Sequence, residues 1–269
     1  MTPSQFYKII ETEDSTVSIP SSCHFSLGTS PYYAHQHGLA IDIYQNLSLE
    51  NYEVLSPVSG RIIKIRTLFA PKPKFMDGID KEFLILISNK DNPKIVYKTL
   101  HVKPKVKLGE KIEIGDVIGT TIRNGYFAYW SSPHLHLEIR RSLDAVRARG
   151  GQEFSLAISK HEETNSKMPI RNTSKIPVEI SSIFPEFILA RFPEQFYYKI
   201  DPIYGILGRL NELNCIIDGG IPIYNNGIAL VQDTHEIHDS RKIYLGNTQI
   251  GEVHELREQF GFFKFNSVK

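Results

Sequence analysis

Apolar and polar residues alternate, or cluster in short apolar runs, through the first half of the chain. The runs are Leu39–Tyr44, Gly60–Thr67, Phe83–Ser88, Ile95–His101, Lys111–Ile114, Val117–Thr121 and His134–Arg140. Each is bounded by turn-forming residues, and few segments show a helical period. The pattern predicts a β-rich region from residue 1 to about 140. Ser142–Arg149 reads as a short helix ended by Gly150-Gly151. Ser159–Ile176 is polar and reads as a linker. A second β-rich stretch runs from about 177 to 269, with tight hairpin turns expected at Tyr224–Ile228 and Leu245–Thr248. The expected organisation is a domain over 1–150 (core about 20–142), a connector over 151–176 and a smaller β-rich domain over 177–269, whose role the pattern does not reveal.

The same alternation assigns side chains to faces. In Ser131–Ile139, Leu135, Leu137 and Ile139 point one way while His134, His136 and Glu138 point the other. Two imidazoles two residues apart on a strand converge on one point, an arrangement that suits a divalent metal with a general base beside it. In His35–Ile43, the residues Leu39, Ile41 and Ile43 turn to the core and Asp42 to the opposite face. An acid inside an apolar strand is costly unless it is paired or ligates a metal. Tyr97–His101 is a third strand, and it ends in a histidine.

Composition narrows the partners. Thirty-one basic residues against 30 acidic ones give no global drive toward nucleic acid or a membrane surface. Cys23 and Cys215 are far apart and in no metal spacing, so free thiols of a reducing compartment are expected. Met1–Pro20 lacks the apolar core of a signal peptide, and no apolar run approaches the roughly 18 residues of a bilayer span. A cytoplasmic protein is the expectation.

The order His…Asp, Tyr-x-x-Leu-His (Tyr97–His101), the glycine-spaced Lys107–Gly119 and Pro-His-Leu-His-Leu-Glu (Pro133–Glu138) resembles the lysostaphin/LytM-type zinc endopeptidases. Val54–Ile62 is similar to an apolar-Pro-x-x-Gly strand turn of that family. The likeness runs from about His35 to Arg140. It implies an antiparallel β-sheet metallopeptidase domain, one Zn2+ per chain and a peptide or peptide-crosslinked substrate. Carried over by position, it makes Asp42 and His136 zinc ligands, His134 a general base and His101 a second active-site histidine. The family places its first histidine four residues before the aspartate, and that position is Gly38 here. His37 is the favoured first ligand and His35 the alternative. Two imidazoles and a carboxylate leave a fourth position for water, whose pKa zinc lowers to roughly 7.

Other features divide between functional and ordinary roles. Glu138 is equally a carboxylate supporting the ligand face or a surface acid. Arg140, Arg141, Arg147 and Arg149 read as a solvated helix face, His235–His238 as a solvated loop, and His24, His161 and His254 as ordinary histidines. Tyr126, Phe127, Tyr129 and Trp130 replace the small residues that usually precede the family's His-x-His. They read either as a packed loop or as a substrate wall. A second function class follows from these departures: a non-catalytic metal-binding or degenerate peptidase-like module that acts as a regulator or scaffold.

Overall fold

Strand alternation in the first half of the chain resolves into one large antiparallel sheet that carries the histidines. The computed structural model describes residues 5–45, 52–74, 77–127, 131–159, 176–185, 187–220, 224–234, 237 and 241–266. They form two compact units, one built around residues 37–154 and the other around residues 188–269.

The first unit opens with a hairpin of β1 (Phe6–Thr12) and β2 (Ser15–Pro20). In chain order there follow β3 (His24–Ser26), a single helical turn α1 (Tyr33–Gln36), β4 (Ala40–Tyr44), β5 (Glu53–Leu55), β6 (Gly60–Phe69) and β7 (Lys81–Asn89); residues 26–36, α1 included, group with the second unit. They are followed by β8 (Ile95–Leu100), β9 (Val102–Pro104), β10 (Lys111–Ile112), β11 (Val117–Thr121) and β12 (Leu135–Arg141). The main sheet has the order β10-β6-β7-β8-β12-β4-β3, and β5-β11-β9 form a small second sheet. The pairings β10–β6, β6–β7, β7–β8, β8–β12 and β12–β4 are all antiparallel.

Central strands of the main sheet are buried on both faces. Ile85, Ile87, Ile41, Ile43, Leu135 and Leu137 are all buried, and so are the polar residues between them in β4 and β12. A strand buried on both sides must pair any charge it carries. That requirement governs the site described below.

Ser142–Arg149 is not a helix; it is a run of turns. Arg140 explains why. Its fully buried guanidinium donates to the carbonyl oxygens of Asp144, Arg147 and Arg149 at 2.8, 3.0 and 3.3 Å and to Asp144 Oδ1 at 2.7 Å. Carbonyls that a helix would use internally are turned inward onto this side chain. The basic cluster is therefore not a uniform solvated face, because Arg140 lies in the core. Gly150 closes the segment at φ +119, with Asp144 packed where a side chain would start.

The second unit contains β13 (Glu179–Ile183), β14 (Ile188–Arg191), β15 (Tyr197–Ile200), β16 (Ile203–Leu210) and β17 (Leu213–Gly219). It continues with β18 (Gly227–Leu230), β19 (Lys242–Leu245), β20 (Thr248–Arg257) and β21 (Phe260–Phe265). The sheet order is β15-β16-β17-β18-β21-β20-β19, and β16 also pairs with β19. That extra pairing closes six of the strands into a barrel around Leu210, Cys215, Ala229, Val231, Ile243, Val253 and Phe263.

The expected turn at Leu245–Thr248 is present: Leu245 pairs with Thr248 across Gly246-Asn247, and Gly246 has φ +60. At Tyr224–Ile228 the turn is longer than expected. Gly219 pairs with Gly227, so seven residues connect the strands, with Asn225 left-handed at φ 52. Both cysteines are free. Most of the expected linker, His161, the histidines at 235 and 238, and Tyr129 and Trp130 lie outside the described residues.

Replacing Arg140 by leucine removes the donor for several buried acceptors at once. Breaking a buried ion pair from one side costs about 3–5 kcal/mol. Urea unfolding of Arg140→Leu is expected to show a loss of that size, while Arg141→Leu, on the exposed end of β12, changes stability by less than about 0.5 kcal/mol.

Candidate functional site

Asp42 and His136 face each other directly across β4 and β12, Asp42 at the middle of its strand and His136 second in its own. Cross-strand neighbours bring side chains within reach without any loop having to order itself. His136 Nδ1 lies 2.9 Å from Asp42 Oδ1, and its Nε2 lies 3.1 Å from Glu138 Oε1. Burial opposes a charge on His136, but the hydrogen bonds to Asp42 and Glu138 outweigh it and bring the ring's pKa up to about 9. Each ring nitrogen is thus directed at a carboxylate.

Behind His136, Glu138 accepts from Lys98 Nζ at 2.8 Å and from Arg140 Nη1 at 2.7 Å. Burial would raise its pKa; His136 and Lys98 more than reverse that and hold it at about 2. Glu138 is a buried member of the ligand face and not a surface acid.

His134 precedes β12 on the same face. Its Nδ1 lies 2.8 Å from the Ser132 carbonyl oxygen, and its Nε2 lies 3.4 Å from Asp42 Oδ2. Burial pushes its pKa down to about 4, so the ring is neutral at neutral pH and Nδ1 donates to Ser132. Its Nε2 lone pair then faces a carboxylate oxygen.

His101 follows β8 and adopts φ 68, a left-handed backbone that non-glycine side chains rarely take. Its ring centroid lies 5.3 Å from that of His134 and 5.8 Å from that of His136. Its Nδ1 meets Glu82 Oε2 at 2.6 Å, and its backbone N–H donates to Glu82 Oε1 at 2.8 Å. Burial works against the Glu82 charge, and the His101 and Asn124 hydrogen bonds bring the carboxyl below its ordinary pKa. Phe127 packs on both His101 and His134, with ring centroids 4.6 and 4.9 Å away, and Tyr44 lies 5.0 Å from His134.

The third ligand-type side chain is His35. The ligand atoms of His35, Asp42 and His136 all lie within 4.8 Å of one another, and all three residues are buried. His35 sits in the turn α1, with its Nδ1 2.8 Å from the Leu27 carbonyl oxygen. His37 is half-buried and is not part of the group. Gly38, at φ +60, reverses the chain between α1 and β4, so the spacing of seven residues is spanned by a compact bend. Linear spacing from Asp42 favoured His37; a helical turn followed by a left-handed glycine presents His35.

Three supporting residues have no counterpart in the sequence reading: Glu82, Lys98 and Asn124. Lys98 carried a signal, a lone charge between Tyr97 and Thr99 in an apolar strand. Glu82 and Asn124 flank loops and look like ordinary surface residues. His24, expected to be ordinary, stacks on Tyr44 with centroids 4.8 Å apart.

Fold and site define the class: a mainly antiparallel β protein with a buried His–Asp–His group capable of holding a metal ion. The chain belongs to the family described as domain of unknown function DUF8155, N-terminal domain, which matches residues 14–156, more than half of its length. No curated protein matches it. A solution structure of lysostaphin aligns at 14% identity over 91% of this chain and 94% of the other, with a TM-score of 0.28. A second structure, titled the antimicrobial peptidase lysostaphin from Staphylococcus simulans, aligns at 13% identity over 91% and 95%, with a TM-score of 0.32. Likeness at that level bears on neither the site nor the activity.

The charge network makes a pH prediction for metal-free protein. Glu138 has a folded pKa of about 2 against an ordinary 4.5, so its stabilising contribution is in place above pH 4.5. That contribution is lost as pH falls from 4.5 toward 2. Urea midpoints measured from pH 6 to pH 3 are expected to fall more steeply for the unaltered protein than for Glu138→Gln.

Proposed function

We propose that this chain carries a zinc-dependent peptidase site, with a peptide as substrate and one ion per chain. The observation that carries this reading is the convergence of His35, Asp42 and His136 in a buried group backed by Glu138. Among the histidines before Asp42, His35 is the one this reading assigns to the ion. The order of motifs shared with the lysostaphin/LytM-type endopeptidases supports it.

The donors fit the ion chemically. Two imidazoles and one carboxylate are a ligand set that zinc accepts, with a position left open. The Asp42-facing nitrogen of His136 meets a carboxylate through a proton that a divalent cation would replace. Zinc bound there would polarise a peptide carbonyl and acidify water beside it.

The chain's own residues divide the remaining work. Glu138 accepts the other N–H of His136, which fixes the ring's orientation and tautomer, and Lys98 and Arg140 keep Glu138 ionised. His134, anchored through Nδ1 on the Ser132 carbonyl, keeps Nε2 free to accept a proton from an attacking water. His101 lies against the same face and is positioned to assist that transfer. Phe127 and Tyr44 pack on these rings and limit the water that reaches them.

A specific observation supports the second reading, a metal-binding module without hydrolysis. The His134 and His136 side chains are each only 8% exposed, which leaves little room for a polymer to reach them.

Metal analysis and peptide hydrolysis separate the two. Purified protein is expected to contain about one zinc per chain; His136→Ala, Asp42→Ala and His35→Ala lose it with unchanged far-UV circular dichroism, and His37→Ala keeps it. His134→Ala is expected to keep the metal and lose roughly 100-fold or more in kcat on a broad peptide library. Full zinc occupancy with no hydrolysis of that library rejects the peptidase reading in favour of the second. A folded protein that takes up no zinc rejects both.

A further inference from the structure

We infer that Glu82 is a positioning residue for His101, holding its imidazole in the form protonated at Nδ1 and leaving Nε2 as the nitrogen that exchanges protons at the site. This role deepens the peptidase reading, and its kinetic part rests on that reading.

Four donors converge on the Glu82 carboxylate. Oε1 accepts from the backbone N–H of Phe83 at 2.7 Å and of His101 at 2.8 Å. Oε2 lies 2.6 Å from His101 Nδ1 and accepts from Asn124 Nδ2 at 2.9 Å. Asn124 is fully buried and also donates to the Lys81 carbonyl oxygen at 3.0 Å, so the oxygen that faces the histidine is held by a second, anchored partner. A carboxylate with every lone-pair direction engaged cannot rotate away from the ring it faces.

The backbone points the same way. His101 is held at φ 68 between its N–H on Glu82 and its carbonyl oxygen, which accepts from the Ile122 N–H at 2.9 Å. Non-glycine residues kept in such a conformation are over-determined by their surroundings, and these positions cluster at functional sites. Here the surroundings consist of Glu82 twice, once through the backbone and once through the ring. Phe127 closes the ring from another side at 4.6 Å.

The contrast with His134 gives the arrangement its chemical meaning. His134 Nδ1 donates to a neutral carbonyl, whereas His101 Nδ1 faces a charged carboxylate. A carboxylate behind an imidazole fixes the tautomer and stabilises the ring when the opposite nitrogen takes up a proton. A merely structural Glu82 would brace the bend after β8 without any such effect.

Nitrogen NMR of the imidazoles in the 15N-labelled full chain reads the tautomer without substrate. At neutral pH, His101 is expected to show protonated Nδ1 and unprotonated Nε2. In Glu82→Gln the population is expected to move toward Nε2–H with zinc content unchanged. The kcat on peptide is expected to drop roughly 10- to 100-fold, with KM within about twofold. If Glu82→Gln does not fold, Asn124→Ala, which frees one side of the carboxylate, is read in the same way with a smaller shift. An Nε2–H ring in the unaltered protein, or a tautomer unmoved by the variant, overturns the inference. A zinc-loaded protein that hydrolyses nothing yet shows the expected tautomer shift overturns the peptidase reading and leaves the Glu82–His101 pair standing.

Discussion

The contact between Asp42 and His136 across two central strands is the interaction on which the first unit's chemistry depends. It places a carboxylate and an imidazole in the interior of a sheet buried on both faces, where neither charge is tolerable alone. Each neighbouring feature answers that problem. Glu138 balances the second nitrogen of the ring, Lys98 and Arg140 balance Glu138, and Asp144 balances Arg140. The result is a chain of alternating charges that runs from the ligand face back into the core.

Much of this framework was legible in the amino-acid pattern, because strands announce themselves by alternation. The runs at Gly60–Thr67, Phe83–Ser88, Ile95–His101 and Val117–Thr121 differ from the observed strands by two residues or fewer at each end. Asp42 stood out as an acid among isoleucines, and His134, His136 and Glu138 shared a face by simple period-two geometry. What escaped were features fixed by three-dimensional closure. Glu82 lies at the start of β7 and Asn124 follows β11, and they meet because the segment after β11 pairs with the approach to β7 through the Ile79 N–H and the Arg123 carbonyl oxygen. Ser142–Arg149 has helical composition, but a buried guanidinium competes for its carbonyls, which no local propensity encodes. The preference for His37 counted residues along the chain; a helical turn and one left-handed glycine make His35 the member of the buried group.

Closure is handled differently in the second unit. There, a pairing between β16 and β19 joins strands that lie at distant positions in the sheet order, and the barrel it completes leaves those strands no free edge. Apolar residues from six strands fill its interior. The first unit instead keeps an open sheet and invests its centre in polar groups. Of the two, the barrel is the simpler piece of packing and the sheet the more specialised one.

The grip of Arg140 on the carbonyls of Asp144, Arg147 and Arg149 also ties the chain after β12 to the first unit. A fragment cut at the end of β12 would retain every histidine and aspartate of the group, yet its buried guanidinium would have lost the chain that wraps it. The first unit accordingly runs past β12 to Phe154, and the Gln152 N–H donates to the Ile139 carbonyl oxygen at 2.8 Å. The turns after the last strand act on it as a clasp.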